Sequence, residues 1–295
     1  MASNVVLVEG LVKKYGTYEA LKGLSFTSNT ELVILAGPNG AGKTTTVEIL
    51  TTNLRPDSGR AEVMGYDVVN EYKAVRRVIA YLPQDYFVFG DLTPKEYVAS
   101  YLMARGSSFW EAWRLAGEWL EAVGLSGVNR PMRQLSGGQM RRTYLAAMLA
   151  TDAEVLFLDE PTAGIDVEAR RDIWRLLREK VRSGTCILMT THDMSEAETI
   201  ADKVVILNEG RMLYEGPPRA LVEKVGFSHK AVLSKEARVE LKRYVDLGDR
   251  VIAYFSGKGE FEGLVSLLDD PRHLISVGTV DLEDAYLLLV RGELR

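Results

Sequence analysis

One cysteine in 295 residues leaves no partner for an internal disulfide and no thiolate cluster for a metal. That residue, Cys186, lies in the apolar run Thr185 to Met189 and is expected as a buried strand residue. Histidine is nearly as scarce, with three in the chain, and His229 and His273 stand too far apart in sequence to suggest a metal site. No apolar stretch approaches the roughly 20 residues that cross a bilayer, and Met1 to Gly10 lacks the basic segment and apolar core of an export signal. A cytoplasmic protein is therefore expected, with any membrane role arising through a partner. A basic surplus is missing too: 36 Lys and Arg against 41 Asp and Glu give a formal charge of −5. Nucleic acid is not an expected partner of such a surface. Internal repeats and low-complexity tracts are also lacking.

What is present reads as an α/β protein of about two domains. Val5 to Phe26 reads as short antiparallel strands punctuated by Gly10 and Gly16. Glu31 to Ala36 is a compact apolar run, followed by glycines and a helical pattern from Thr44 to Leu54, half of a βαβ unit. Helices are expected from about residue 91 to 150. The first opens at Thr93-Pro94-Lys95-Glu96, a capping-box spacing with proline at the first helical position. The next carries Trp110, Trp113, Leu120 and Val123 near one face, read as core packing rather than as a binding stripe. Strand-like runs return at Val155 to Leu158, Thr185 to Thr190 and Lys203 to Leu207, with helices around Ile173 to Val181 and Met194 to Ala201. Such alternation implies a parallel sheet covered by helices. After Gly216-Pro217-Pro218 a smaller α+β segment begins, and the boundary is expected near Phe227, dividing the chain into 1–226 and 227–295.

Gly37-Pro38-Asn39-Gly40-Ala41-Gly42-Lys43-Thr44 satisfies the phosphate-binding loop pattern, and it stands between a predicted strand and a predicted helix. Glycines let the backbone curl its N–H groups toward phosphate oxygens, and the helix N-terminus adds a favourable dipole. Lys43 is expected on the β- and γ-phosphates of a nucleotide, and Thr44 on Mg2+. Val155 to Asp159 and Glu160 form an apolar strand ending in two carboxylates. Asp159 suits a metal ligand, directly or through water, and Glu160 suits a base that orients and deprotonates water. Ser136 to Gln139, within Leu135-Ser136-Gly137-Gly138-Gln139, repeats the capping-box spacing, so a second glycine-rich helix N-terminus starts there.

As a string, Leu135 to Gln139 resembles the signature motif of ABC ATPases, and the other landmarks of that family fall in order along the chain from Val5 to Gly216. The resemblance implies a P-loop NTPase core with an antiparallel β subdomain and a helical insertion, followed here by the small C-terminal α+β segment. It implies ATP and Mg2+ as ligands and ATP hydrolysis as the reaction. Tyr15 is similar to the aromatic that stacks on adenine, with Tyr18 as the substitute. Gly37 to Thr44, with Thr45, would hold the nucleotide, and Gln84 resembles the glutamine that contacts Mg2+ and water and faces the membrane subunit. Ala163-Gly164-Ile165-Asp166 resembles the D-loop, although Asp166 also suits a helix N-cap, and His192 resembles the switch histidine at the γ-phosphate.

In this family the signature of one subunit caps the ATP of another. Two copies, or this chain and a related one, would therefore close around two ATP molecules. Gly65 to Val68, Asp91 to Thr93 and Asp281 to Tyr286 resemble ATPases of ABC-2 type exporters, which pair a stand-alone ATPase with a separate transmembrane permease. That implies a place on the inner face of the cell membrane. The alternative is a soluble ABC ATPase in a process other than transport.

Overall fold

The computed structural model describes residues 4–85, 90–237, 241 and 243–290. Positions 86–89, just past Gln84, and 291–295, at the end of the expected C-terminal segment, lie outside the described residues. The chain begins with strands β1 (Val6–Tyr15) and β2 (Tyr18–Ser28), then β3 (Leu32–Ala36) and helix α1 (Lys43–Leu50). Next come β4 (Ser58–Val63), β5 (Tyr66–Asp67), α2 (Tyr72–Val78) and β6 (Ile79–Leu82). Three helices follow, α3 (Pro94–Ala104), α4 (Phe109–Ala122) and α5 (Gly137–Leu149).

The chain then alternates through β7 (Val155–Asp159), α6 (Val167–Arg182), β8 (Cys186–Thr191), α7 (Met194–Ile200), β9 (Lys203–Asn208), β10 (Arg211–Gly216) and α8 (Pro218–Val225). The last part holds β11 (His229–Ser234), β12 (Tyr244–Asp246), β13 (Arg250–Phe255), α9 (Lys258–Leu267), β14 (Leu274–Thr279) and α10 (Leu282–Val290).

The central sheet runs β10-β9-β3-β8-β7-β6, parallel except for the β10 edge. Every residue of β3, β7 and β8 is buried, which is why these segments read as unbroken apolar runs rather than as alternating ones. Register decides what meets at the strand ends: Ala36 pairs with Thr191, and Asp159 pairs with Thr190. The loops leaving β3, β7 and β8 are thereby brought to one edge, at the carboxyl ends where open α/β sheets bind ligands.

A second sheet, β2-β1-β4-β5, is antiparallel. Gly10 does not end a strand as its sequence context suggested; at φ 60° it sits in a β-bulge that lets β1 continue to Tyr15. Gly16, at φ 61°, makes the tight turn into β2.

Helix α3 begins as its spacing requires. Glu96 N–H donates to Thr93 Oγ1 at 3.3 Å, and Thr93 N–H donates to Glu96 Oε2 at 2.8 Å. In α4 the expectation of a core-facing aromatic stripe fails at Trp110, which is 81% exposed; Leu120 and Val123 are buried and Trp113 only partly so. The buried face of α4 is carried by Ala112, Ala116 and Leu120, four residues apart, and Trp110 lies off that line.

Helix α8 ends at Gly226, whose φ of 76° supplies the left-handed cap. Beyond it, the antiparallel sheet β12-β13-β11-β14 has a small apolar cluster of its own, including Ala231, Leu233 and Phe255. Yet Val280, Leu282, Ala285 and Leu288 belong to the same contiguous core as Ala197, Ile200, Leu221 and Val225. Leu282 N–H also donates to Glu198 Oε2 at 3.0 Å, tying α10 to α7.

Candidate functional site

The loop between β3 and α1 can take its shape only with glycine at two positions. A Cβ on Gly37 would lie 2.2 Å from the Leu207 carbonyl oxygen, and one on Gly42 would lie 2.7 Å from Leu21 Cδ2. Both residues also have positive φ, 151° and 103°. Lys43 opens α1 and is 6% exposed; its Nζ donates to the carbonyls of Gly37 at 2.7 Å and Pro38 at 3.0 Å. Burial pushes its pKa down, and the nearby Glu160 and Asp159 carboxylates only partly offset that. A cleft of about 310 Å3 lies above the loop, bounded among others by Tyr15, Tyr18, Asn39, Lys43, Thr44 and Gln84. Both tyrosines face it. Tyr18 is further fixed by its hydroxyl, which donates to the Gly40 carbonyl at 2.9 Å, whereas the Tyr15 ring stands 48% exposed with Lys13 Nζ 5.9 Å from its centroid.

Asp159 is fully buried at the end of β7. Its Oδ1 accepts the Thr190 hydroxyl proton, and its Oδ2 has no hydrogen-bond partner. Burial pushes its pKa up, opposed by Thr190, the neighbouring Thr44 hydroxyl and Lys43. A buried carboxylate oxygen without a partner is costly in an apolar core, and a cation would satisfy it. Asp159 and Thr44 thus offer the hard oxygen donors that suit Mg2+. Among the described residues no three His, Cys, Asp or Glu side chains converge as a metal cage, so a cation here would complete its shell with oxygens from outside the protein, of water or of a bound phosphate.

Glu160 is one of four non-glycine residues with positive φ among those described, at 49°. That conformation costs an L-residue roughly 1–2 kcal/mol and is held by its neighbours. Glu160 N–H donates to Thr190 Oγ1 at 3.0 Å, and its carbonyl accepts from Arg141 Nη1 and, at 3.2 Å, from Ala163 N–H. Its carboxylate is mostly shielded and lies 3.1 Å, through Oε1, from His192 Nδ1. Glu160 lines both the cleft above the loop and a second cavity of about 170 Å3 bounded by residues including Gly164, Arg170 and His192. A carboxylate so placed, with an imidazole against it, can accept a proton from water delivered on either side.

Of the expected site residues, Tyr15, Asn39, Gly40, Gly42 to Thr45, Gln84 and Glu160 line one cleft; His192 borders the adjoining cavity that Glu160 shares, and Asp159 is buried behind them at the end of β7. The residues Leu135 to Gln139 are elsewhere: none of them lines the cleft. Ser136 caps α5 as the spacing required, accepting from Gln139 N–H at 3.2 Å while Gln139 Oε1 accepts from Ser136 N–H at 3.2 Å. Asp166 caps α6, accepting from Ala169 N–H at 3.0 Å, which holds its carboxyl below the usual range. The backbone of Gly164, in the D-loop, lies directly against the signature: a Cβ on Gly138 would be 3.1 Å from the Gly164 carbonyl oxygen.

Two residues of the site escaped the sequence reading. Thr190 links Asp159 to the Glu160 backbone, but it looked like any strand threonine because only the register of β7 against β8 places it there. Arg141 was hidden beside Arg142, which has an unrelated job: Arg142 Nη1 donates to the carbonyls of Val123 at 3.1 Å and Gly124 at 3.4 Å at the end of α4.

Residues 21–163 match the family model described as ABC transporter. The chain is 36% identical over 301 residues to a daunorubicin resistance ATP-binding protein of Streptomyces coeruleorubidus, covering 99% of this chain and 89% of the relative. It is 38% identical over 293 residues to a Nod factor export ATP-binding protein of Burkholderia lata, covering 96% of each. Among solved structures it resembles the dimeric, post-hydrolysis state of an ATP-binding cassette bound to ADP and Pi, with a TM-score of 0.66, 26% identity, and coverage of 72% of this chain and 98% of that one.

Proposed function

The chain belongs to the ABC transporter family as an ATP-binding, ATP-hydrolysing subunit, and from that premise we propose that it is the motor of an exporter whose membrane-spanning permease is a separate polypeptide. The single observation that carries the catalytic part of this reading is the buried, unpartnered Asp159 Oδ2 beside Glu160, Lys43 and Thr44 at the converged strand ends. Gly37 to Thr45 would hold the phosphates through backbone N–H groups and the N-terminus of α1. Lys43 would leave the loop carbonyls for phosphate oxygens, regaining the charge partner that burial denies it. Thr44, Asp159 and Gln84 would hold Mg2+, whose contribution when bound is to neutralise charge on the phosphates. Glu160 would take the proton of the attacking water, with His192 holding the carboxylate in place and facing the γ-phosphate, and Tyr15 would pack on the adenine.

Because none of Leu135 to Gln139 lines the chain's own cleft, we assign them to the ATP of a second subunit, with the D-loop residue Asp166 near the crossing. The second subunit is another copy or a related chain. The exporter assignment rests on relatives whose names denote drug resistance and Nod factor export. Among the described residues no helix is long and apolar enough to cross a membrane. Binding to the permease would hold the protein at the cytoplasmic face of the membrane. Residues 1–226 form the motor in this reading, and 227–295 an accessory segment.

The test is to purify a tagged Glu160→Gln chain from detergent-solubilised cells in Mg·ATP. Recovery from the membrane fraction with a multi-spanning protein is the expected result. Recovery only in non-membrane assemblies, with or without nucleotide, would favour a soluble motor.

A further inference from the structure

Arg141 lies on α5, in the helical insertion, yet its guanidinium reaches out of that insertion to two loops of the central sheet. Nη1 donates to the carbonyl of Glu160, just past β7, and Nη2 donates to the carbonyl of Gln84, just past β6, at 3.1 Å. One planar group thus ties the loop that carries the candidate base to the loop that carries the candidate Q-loop glutamine. The Glu160 backbone is consequently held from both sides, Thr190 on its N–H and Arg141 on its carbonyl, in a conformation that L-residues avoid.

We infer that Arg141 is a positioning residue for hydrolysis: it sets the Glu160 carboxylate through the backbone and makes that setting depend on where α5 and Gln84 stand. This rests on the reading of Glu160 as the base. A guanidinium can serve two carbonyls at fixed directions through separate N–H groups, whereas a lysine ammonium is a point donor on a flexible stem, so the fork is the working part. A misplacement of about 1 Å at a reacting group is enough to slow chemistry by as much as about a hundredfold, while leaving nucleotide affinity to the phosphate loop.

The test compares Arg141→Gln, Arg141→Lys, Arg142→Gln and Glu160→Gln in the full chain. Single-turnover hydrolysis and equilibrium ATP binding are measured separately, with thermal unfolding alongside. The expected pattern is a loss of roughly tenfold to a hundredfold in rate for Arg141→Gln with ATP affinity within about twofold, and no recovery of rate in Arg141→Lys. Arg142→Gln, which loses the same charge one residue on, should keep its rate. A parental rate in Arg141→Gln, equal losses in Arg141→Gln and Arg142→Gln, or full rate in Arg141→Lys would overturn the inference. If Arg141→Gln fails to fold, the Arg141→Lys rate decides it. A parental rate in Glu160→Gln would instead remove the base assignment on which the inference stands.

Discussion

Two of the molecule's clusters of one lysine and two acids differ in how the lysine is partnered. In the cleft, Lys43 faces Asp159 and Glu160; burial pushes the lysine's pKa down and that of Asp159 up, and Asp159 Oδ2 is left without a partner. In the C-terminal segment, Lys230 Nζ lies 2.6 Å from both Asp281 and Asp284, and Tyr254 donates to Asp284 Oδ1 at 3.1 Å. There, despite burial, the two carboxylates raise the lysine's pKa, and Asp284 N–H and Asp281 N–H donate back across the pair. Similar side chains thus make a site in one place and a staple in the other. In the proposed site the lysine has no carboxylate in contact and stands open to phosphate, whereas in the second cluster it contacts both carboxylates and fixes the start of α10 against the core.

The comparison is broken most strongly by removing the proposed base. Glu160→Gln should slow hydrolysis by roughly 10²- to 10⁴-fold while ATP binding persists, whereas Asp281→Asn should leave the rate unchanged; steady-state phosphate release from the two variants checks both. Next in size is the staple. Lys230→Met strands the buried Asp284 and should cost about 3 kcal/mol of stability in urea unfolding without changing ATP affinity. Lys43→Met should do the reverse, weakening ATP binding without loss of stability, since it removes a desolvated ammonium.

A smaller effect belongs to Asp159. Because its folded pKa is raised, the folded chain binds the extra proton between the ordinary carboxylate value and the raised one, and the stability of the ligand-free chain falls as pH rises through that window. Mg·ATP favours the ionised form, so binding should release protons in that window and tighten as pH rises through it. Calorimetry in buffers of different ionisation enthalpy reads this directly, with proton uptake in that window as the contrary result. Asp159→Asn should abolish the release and stabilise the ligand-free chain by about 1 kcal/mol.

The two clusters were not equally legible in the sequence. The cleft was, because its chemistry is written in contiguous strings: Gly37 to Thr44 and Val155 to Glu160 each sit on one strand end, and a local pattern suffices to identify them. The staple joins Lys230 to residues about fifty positions later, through a β11–β14 pairing that no local spacing encodes. Thr190 and Arg141 were obscured for the same reason, since each acts through a neighbour supplied by register or by helix packing. Trp110 was misread because membership of a helical stripe did not reveal which side of α4 the core would take.

The central claim, that each ATP site takes its phosphate loop from one chain and its signature from another, can be tested by mixing variants. Lys43→Ala weakens the loop. Gly137→Asp puts a carboxylate at the signature, where a Cβ meets nothing within 4 Å, unlike the crowded Gly138. A like charge near the partner's γ-phosphate should cost several kcal/mol, an order of magnitude set by close charges in a partly dehydrated site. In a mixed dimer both defects fall in one site and the other is intact. Crosslinking of differently tagged chains should therefore show more ATP-dependent pairing in the mixture than in either pure variant, and equal pairing in all three samples would contradict capping in trans.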